Sequence, residues 1–145
     1  MSFNNLDTLY RQVIMDHYKS PRNRGKFEGD VLTVDLNNPT CGDRIELQMK
    51  VDEGVIEDVK FLGEGCSISM ASASMMTEAV KGKKVEEALK MSELFSDMML
   101  GKDIDFNEMD SGDIAALQGV SQFPARIKCA TLAWKAMEQG VKKEE

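Results

Sequence analysis

Three cysteines are the residues of this 145-residue chain best suited to chemistry: Cys41, Cys66 and Cys129. No two of them form a Cys-x-x-Cys pair, so their spacing alone is a weak signal for zinc. An odd number of cysteines argues against a disulfide framework and leaves thiolate chemistry or metal ligation open. Thiolates select zinc, iron–sulfur clusters or Cu(I), and a fourth ligand would complete a tetrahedral zinc site.

The strand pattern indicates where such a fourth ligand could come from. A hairpin between the second and third predicted strands would pair Leu47 with Val59 and return the third strand to the start of the second. Cys66 follows the third strand and would then lie beside the loop that carries Cys41 and Asp43. Two thiols and a carboxylate would therefore meet at one edge of the sheet, although they are distant in sequence.

The direction of the Asp43 side chain has two interpretations. Asp43 shares the odd-numbered face of its strand with Ile45 and Leu47, so regular alternation would turn it toward the helices, where a carboxylate needs a cation or strong donors. Alternatively, alternation fails at this position and Asp43 only caps the turn before the strand. Each cysteine, taken alone, could likewise be a small buried core residue.

The hydrophobic periodicity predicts the elements that would position these groups. We expect a helix over 5–19 with Asn5 as its N-cap, a loop over 19–30, and three strands built on alternating residues in 32–36, 45–51 and 55–61. A helix over 66–81, short helical stretches over 84–119 and a last helix from Pro124 to near Gly140 follow. This order predicts an α+β fold, a three-stranded antiparallel sheet with helices mainly on one face, in a single domain over 1–145.

Composition and charge exclude several function classes. The formal net charge of −7 is unfavourable for non-specific nucleic-acid binding, which relies on cationic contacts to phosphate. No apolar run approaches the roughly 20 residues of a membrane helix, and the N-terminus has no secretory signal pattern. We therefore expect a cytoplasmic protein without nucleic-acid or membrane partners.

Three basic or titratable features near these elements could take part in the site or in docking. His17, the only histidine, lies on the apolar stripe of the first helix and is expected to be a satisfied core or interface residue rather than a ligand. Arg126 and Lys128 precede Cys129 and would offset the negative charge of a thiolate and carboxylate site. The basic loop over 19–26 is either simply solvated or a docking patch for an acidic partner.

Three segments carry a resemblance to a known family. Residues 38–43 (Asn-Pro-Thr-Cys-Gly-Asp), 63–69 (Gly-Glu-Gly-Cys-Ser-Ile-Ser) and 123–129 (Phe-Pro-Ala-Arg-Ile-Lys-Cys) resemble the motifs of the U-type iron–sulfur scaffold proteins, most closely those of the SufU branch of Gram-positive bacteria. The resemblance extends over nearly the whole chain. It implies a SufE/NifU-like fold and a metal site formed by Cys41, Asp43, Cys66 and Cys129.

The chain departs from the IscU branch of that family at specific positions. Lys128 stands where IscU-like proteins have histidine, residues 123–126 do not reproduce their Leu-Pro-Pro-Val-Lys motif, and residues of about 82–103 look like the insertion of the SufU branch. The resemblance to SufU implies a zinc-dependent sulfurtransferase that takes sulfur from a SufS-type cysteine desulfurase and delivers it to a SufBCD-type scaffold. The alternative is a non-enzymatic scaffold that assembles a [2Fe–2S] cluster on the same four residues, and a third reading is a zinc-stabilised module that activates a partner without carrying sulfur.

The resemblance also suggests how sulfur would be transferred. Persulfide transfer requires an accessible thiolate, and we expect Cys41 to be the acceptor because it lies in a loop beside Gly42, whereas Cys66 and Cys129 lie on helices and suit metal binding. We expect the partner to displace Cys41 from zinc and free it to react, and Arg126 to stabilise the anionic site or the docked partner. By itself the chain is expected to be a monomer.

Overall fold

The computed structural model describes residues 3–29, 31–38, 42–102, 104 and 113–143, with side chains described from residue 11 to residue 142 within those ranges. The elements in chain order are α1 (Phe3–Lys19), β1 (Leu32–Asn38), β2 (Asp43–Asp52), β3 (Val55–Glu64), α2 (Ser67–Val80), α3 (Val85–Met99), a 3₁₀ helix (Asp113–Gln122) and α4 (Pro124–Lys143). None of the described helices is long and apolar enough to cross a membrane.

The three strands form one antiparallel sheet in the order β1-β2-β3, which confirms the predicted α+β class. The odd-numbered side chains of β2 from Asp43 to Met49, among them Ile45 and Leu47, are buried. Helix α2 contacts β3, and α4 contacts β1 and β2, so the helices cover this face. On the opposite face Arg44 and Lys50 are exposed. The apolar alternation of the strands therefore determines which side of the sheet carries the helices and the core.

The pairing of β2 with β3 differs from our prediction by two residues. Leu47 lies opposite Phe61, not opposite Val59. One residue of the shift arises because the turn contains only Glu53 and Gly54, both at positive φ (50° and 76°), as in the tight turns that suit a hairpin. The other arises from an irregularity at the step from Lys50 to Val51, where β3 contains one extra residue. A shift of two preserves the face on which each β2 side chain lies.

The bulge also changes which residue at the start of β3 is buried in the core. Ile56 is fully buried, whereas Val55, which the alternation predicted to be in phase with Val59, is only partly buried. At its other end β3 reaches Glu64, which lies opposite Arg44 near the start of β2. The sheet therefore ends two residues before Cys66, closer than the predicted hairpin implied.

Several helix boundaries also differ from the predictions. α1 begins at Phe3, so Asn5 is inside the helix rather than at its cap, and α4 continues to Lys143. Where we expected only short helical stretches, α3 is a continuous helix of 15 residues. Its buried side includes Phe95, whose ring stacks on Trp134 of α4 with centroids 4.8 Å apart. The apolar contact with α4 accounts for this continuous helix.

The loop between α1 and β1 follows the free edge of β3. The Gly25 amide donates to the Phe61 carbonyl, the Phe61 amide donates to the Asn23 carbonyl, and both distances are 3.0 Å. The ring of Phe27 lies under the ammonium groups of Lys50 and Lys60, at 4.6 and 4.9 Å from its centroid. This loop therefore satisfies edge hydrogen bonds that would otherwise face solvent.

Helix α2 is the centre of the helical layer, with eleven of its fourteen residues buried. Small side chains such as Ala71, Ser72 and Ala73 allow its neighbours to approach closely. The Ser72 hydroxyl donates a 2.5 Å hydrogen bond to the Ala130 carbonyl of α4. This buried contact sets the spacing between the first half of α2 and the first half of α4.

Candidate metal centre

Asp43, Cys66 and Cys129 come together at one end of the sheet. One ligand atom of each, a carboxylate oxygen or a thiol sulfur, lies within 4.8 Å of the other two. Asp43 is the first residue of β2, Cys66 is the residue before the first turn of α2, and Cys129 is in α4. Cys41 lies outside the described residues.

Asp43 faces the helices and is fully buried. Its Oδ1 accepts a 3.0 Å hydrogen bond from the backbone amide of Cys66, while its Oδ2 has no hydrogen-bond partner among the described residues. The first of the two interpretations therefore holds, because alternation continues to the first residue of the strand. A buried carboxylate oxygen without a partner is costly, and a bound cation would remove that cost.

Gly65 permits the close approach of β2 to the start of α2. A Cβ atom at this position would collide with the Asp43 carboxyl group and with the Ser69 hydroxyl oxygen. The absence of a side chain at Gly65 is thus a steric condition for the Asp43–Cys66 hydrogen bond. The sequence alone did not indicate this role of Gly65, because the collision depends on residues that are distant in sequence.

Cys66 is the N-cap residue of α2 and is only partly buried. Its Sγ lies 3.8 Å from the Ser69 hydroxyl oxygen, which itself donates to the Cys66 carbonyl at 3.1 Å. The prediction that Cys66 occupies a helix N-terminus is confirmed.

Cys129 is fully buried in α4, one residue before Ala130, whose carbonyl accepts the Ser72 hydrogen bond. The α2–α4 contact therefore fixes the distance between Cys129 and Cys66. Sequence spacing gave no direct reason to group these two thiols, because Cys129 joined the set through the family motif.

Arg126 is exposed and lies one helical turn before Cys129. The nearby Cys66 thiol, followed by the hydrogen bond and charge of Cys129, raises the pKa of the Arg126 guanidinium above its usual value. The guanidinium therefore lies beside both cysteine side chains. Lys128, predicted to help in the same way, is exposed on α4.

The donor set fits zinc. Two thiol sulfurs and one carboxylate oxygen are ligand types that zinc binds, and Asp43 has one oxygen, Oδ2, without a hydrogen-bond partner among the residues that the structure describes. A structural zinc site takes four ligands, so the described residues leave one position to fill. The assignment of that position to Cys41 stays a prediction.

His17 is buried, and each of its ring nitrogens lies within hydrogen-bond distance of a side chain. This agrees with the predicted core histidine. Its neighbours Glu78 and Asp113 were not singled out from the sequence, because no short-range spacing links residues 17, 78 and 113.

Comparisons with known proteins all find proteins of one family. The family model described as "NifU-like N terminal domain" matches residues 9–143. The zinc-dependent sulfurtransferase SufU of Bacillus subtilis is 71% identical over 100% of this chain and 98% of its own length. The iron–sulfur cluster assembly scaffold protein IscU of Streptococcus pyogenes is 48% identical over 99% of this chain and 89% of its own.

A crystal structure provides a further comparison. It is of a protein from Fervidobacterium islandicum described as a candidate iron–sulfur cluster assembly scaffold for the SUF system. It superposes with a TM-score of 0.84 at 39% identity, covering 90% of this chain and 94% of that chain. This chain therefore has the same fold as that protein.

Proposed function

Because this chain belongs to the NifU-like N-terminal domain family, we propose that it is a zinc-dependent sulfurtransferase of iron–sulfur cluster assembly. The observation that carries the proposal is the convergence of Asp43, Cys66 and Cys129, together with an Asp43 Oδ2 that is buried and has no hydrogen-bond partner in the described part of the chain. The full-length similarity to a protein named zinc-dependent sulfurtransferase supports it.

We propose that Cys66, Cys129, Asp43 and Cys41 hold the zinc. When bound, zinc would keep its thiol ligands deprotonated and order this end of the sheet. Cys41 is separated from Asp43 by one residue, so covalent geometry alone limits their α-carbons to a separation of about 7 Å. That constraint supports Cys41 as the fourth ligand.

Cys41 is the proposed sulfur acceptor. Its thiolate attacks the terminal sulfur of a donor persulfide, a new S–S bond forms, and the donor S–S bond breaks. The donor cysteine leaves as a thiolate and Cys41 becomes the persulfide, so no external oxidant or reductant is needed. Arg126 would stabilise the anionic sulfur through its guanidinium, which already faces the Cys66 and Cys129 thiols.

The proposed donor is a SufS-type cysteine desulfurase, and the proposed recipient is a SufBCD-type scaffold complex. Similarity to a SUF-system protein supports this pathway. Tyr18, Arg24, Glu64, Gly65 and Met70 are among the residues that line a groove, and we propose that a segment of the desulfurase binds there. We further propose that the chain acts as a single domain and a monomer in the cytoplasm, where thiols stay reduced.

Persulfide mapping tests the acceptor. Single Cys41→Ala, Cys66→Ala and Cys129→Ala variants are incubated with the desulfurase and cysteine, and persulfides are located by mass spectrometry. We expect the persulfide on Cys41 of the wild type and none on the Cys41→Ala variant. A persulfide that forms equally well on the Cys41→Ala variant would show that another thiol is the acceptor.

A scaffold that assembles a [2Fe–2S] cluster is the second candidate, favoured by the 48% identity to a protein named IscU scaffold. Metal analysis of protein purified anaerobically from its native host separates the two. Stoichiometric zinc without iron supports the transferase, whereas iron with cluster absorbance supports the scaffold. Desulfurase stimulation by a variant that accepts no sulfur would instead indicate an activating module.

A further inference from the structure

A second group of metal-binding side chains lies outside the cysteine site. His17 of α1, Glu78 of α2 and Asp113 of the 3₁₀ helix each present a ligand atom within 4.8 Å of the other two. Nε2 of His17 lies 2.8 Å from Oδ2 of Asp113 and 3.8 Å from Oε1 of Glu78. Adjacent ligands of an ion that binds at about 2.1 Å lie roughly 3 Å apart, so one small movement of Glu78 would complete a site.

A buried hydroxyl fixes the orientation of the His17 ring. Nδ1 of His17 lies 2.7 Å from the Ser74 hydroxyl oxygen, and that oxygen also accepts a 2.8 Å hydrogen bond from the Arg22 backbone amide. In this structure Nε2–H donates to Asp113 Oδ2, and the Ser74 hydroxyl can donate to Nδ1. A bound ion would replace the Nε2 proton, and the Ser74 oxygen would then accept from Nδ1–H. Metal-binding histidines characteristically have such a partner on the second ring nitrogen.

One of the three side chains of this cluster is buried, and the other two are exposed to solvent. The His17 side chain is fully buried, whereas the side chains of Glu78 and Asp113 are 45% and 50% exposed. An ion could therefore enter from solvent and keep water on its open positions. This access distinguishes the group from a sealed structural contact.

Charge around His17 favours a cation. Asp16, Glu78 and Asp113 surround one guanidinium, that of Arg22. That guanidinium pairs with Asp16 at 2.6 Å and reaches only to 3.9 Å from Glu78. The pKa of Arg22 is raised, first by its hydrogen bond to Asp16 and then by the charges of Asp16, Glu78 and Asp113. The three carboxylates of this cluster thus carry more charge than its one guanidinium.

We propose that His17, Glu78 and Asp113 bind one divalent first-row transition-metal ion through nitrogen and oxygen donors. The site is separate from the cysteine centre, because Glu78 lies twelve residues along the chain from Cys66, about 18 Å of helix. A bound ion would join three elements, α1, α2 and the 3₁₀ helix. It would thereby hold the segment that leads into α4, which carries Arg126 and Cys129.

Cobalt binding to the zinc-loaded protein tests the proposal. Equilibrium dialysis with Co²⁺ counts bound cobalt and zinc, while visible spectra report the ligands. We expect one Co²⁺ per chain in addition to the zinc, with weak d–d bands and no intense thiolate-to-cobalt charge transfer. Loss of zinc together with an intense thiolate band would place the cobalt at the cysteines and overturn the proposal, as would failure to retain any cobalt.

Charge-neutralising variants identify the ligands. Glu78→Gln and Asp113→Asn should each weaken cobalt binding at least about tenfold without changing zinc content. Glu86→Gln removes the same charge from the first turn of α3 and should leave cobalt binding unchanged. Equal weakening by all three variants would mean that cobalt is attracted only by net charge, and the assigned site would be wrong.

Discussion

The backbone amide of Cys66 donates a 3.0 Å hydrogen bond to Oδ1 of Asp43, and this bond joins the start of β2 to the start of α2. It leaves Oδ2 of Asp43 buried and unpartnered among the described residues, in a carboxylate that lies beside two thiols. One oxygen of the carboxylate thus serves the fold, and we propose that the other binds the metal. The consequences of this division can be tested by mutation.

Removing the Asp43 charge should have opposite effects with and without metal. We expect Asp43→Asn to lower zinc affinity by about tenfold or more, because a ligand charge is lost. In metal-free protein the same variant should be as stable as the wild type or more so, because burying an amide costs less than burying an unpaired carboxylate oxygen.

Competition with a chromophoric chelator measures the zinc affinity, and urea unfolding followed by the fluorescence of buried Trp134 measures the stability. Asp35→Asn is the matched control, because Asp35 pairs with Arg44 on the exposed face of the sheet. Zinc affinity that does not change in Asp43→Asn would show that Asp43 is not a ligand.

A methyl group at Gly65 should damage the site through sterics alone. The Cβ of Gly65→Ala would collide with the Asp43 carboxyl group and the Ser69 hydroxyl, so we expect a loss of about 1–3 kcal/mol in stability together with weaker zinc binding. Gly119→Ala is the control, because a Cβ there meets no described atom within 4 Å. Thermal unfolding of zinc-loaded protein compares the two, and equal midpoints would contradict the prediction.

Arg126 should matter for sulfur transfer more than for metal retention. We expect Arg126→Ala to slow sulfur transfer from the desulfurase by about tenfold while zinc content stays stoichiometric, because the guanidinium favours anionic sulfur without being a ligand. Arg126→Lys should restore only part of the rate, since an ammonium cannot present two parallel donors. Loss of zinc in Arg126→Ala would instead assign this residue a structural role.

The Asp35–Arg44 ion pair should stabilise the folded protein slightly, and this contribution should be lost in acid. The hydrogen bond from Arg44 lowers the pKa of Asp35. A carboxyl with a lowered folded-state pKa stabilises the protein above its unfolded value, near 4, and this contribution is lost as pH falls through the folded-state pKa. Because both side chains are largely exposed, the effect should be small, about 1 °C in thermal midpoint.

Thermal unfolding of metal-free protein at pH 6 and below pH 3 provides the measurement. The wild type should exceed Asp35→Asn at pH 6 and match it in acid. In an Arg44→Gln background the same substitution should show no pH-dependent difference. A difference that persists there would mean that Arg44 is not the cause.

The period of hydrophobic residues was enough to predict the element types and the antiparallel sheet, because burial of one face is a local pattern. It failed where a single residue changes the register. The bulge between Lys50 and Val51 places Leu47 opposite Phe61, and no property of the neighbouring sequence marks the extra residue. The continuous α3 was also missed, since its length depends on packing of Phe95 against Trp134, 39 positions away in the sequence.

The sequence by itself determined the donor types, the class of fold and, through three motifs, the family. Only the tertiary structure decided that Asp43 turns inward, with one oxygen unpartnered among the described residues, that Gly65 must lack a side chain, and that His17, Glu78 and Asp113 form a second group. The physical reason is the same in each case. Ligand geometry depends on distances of a few ångströms between residues that are far apart along the chain, and those distances are set by how α2 packs against the sheet, α1 and α4.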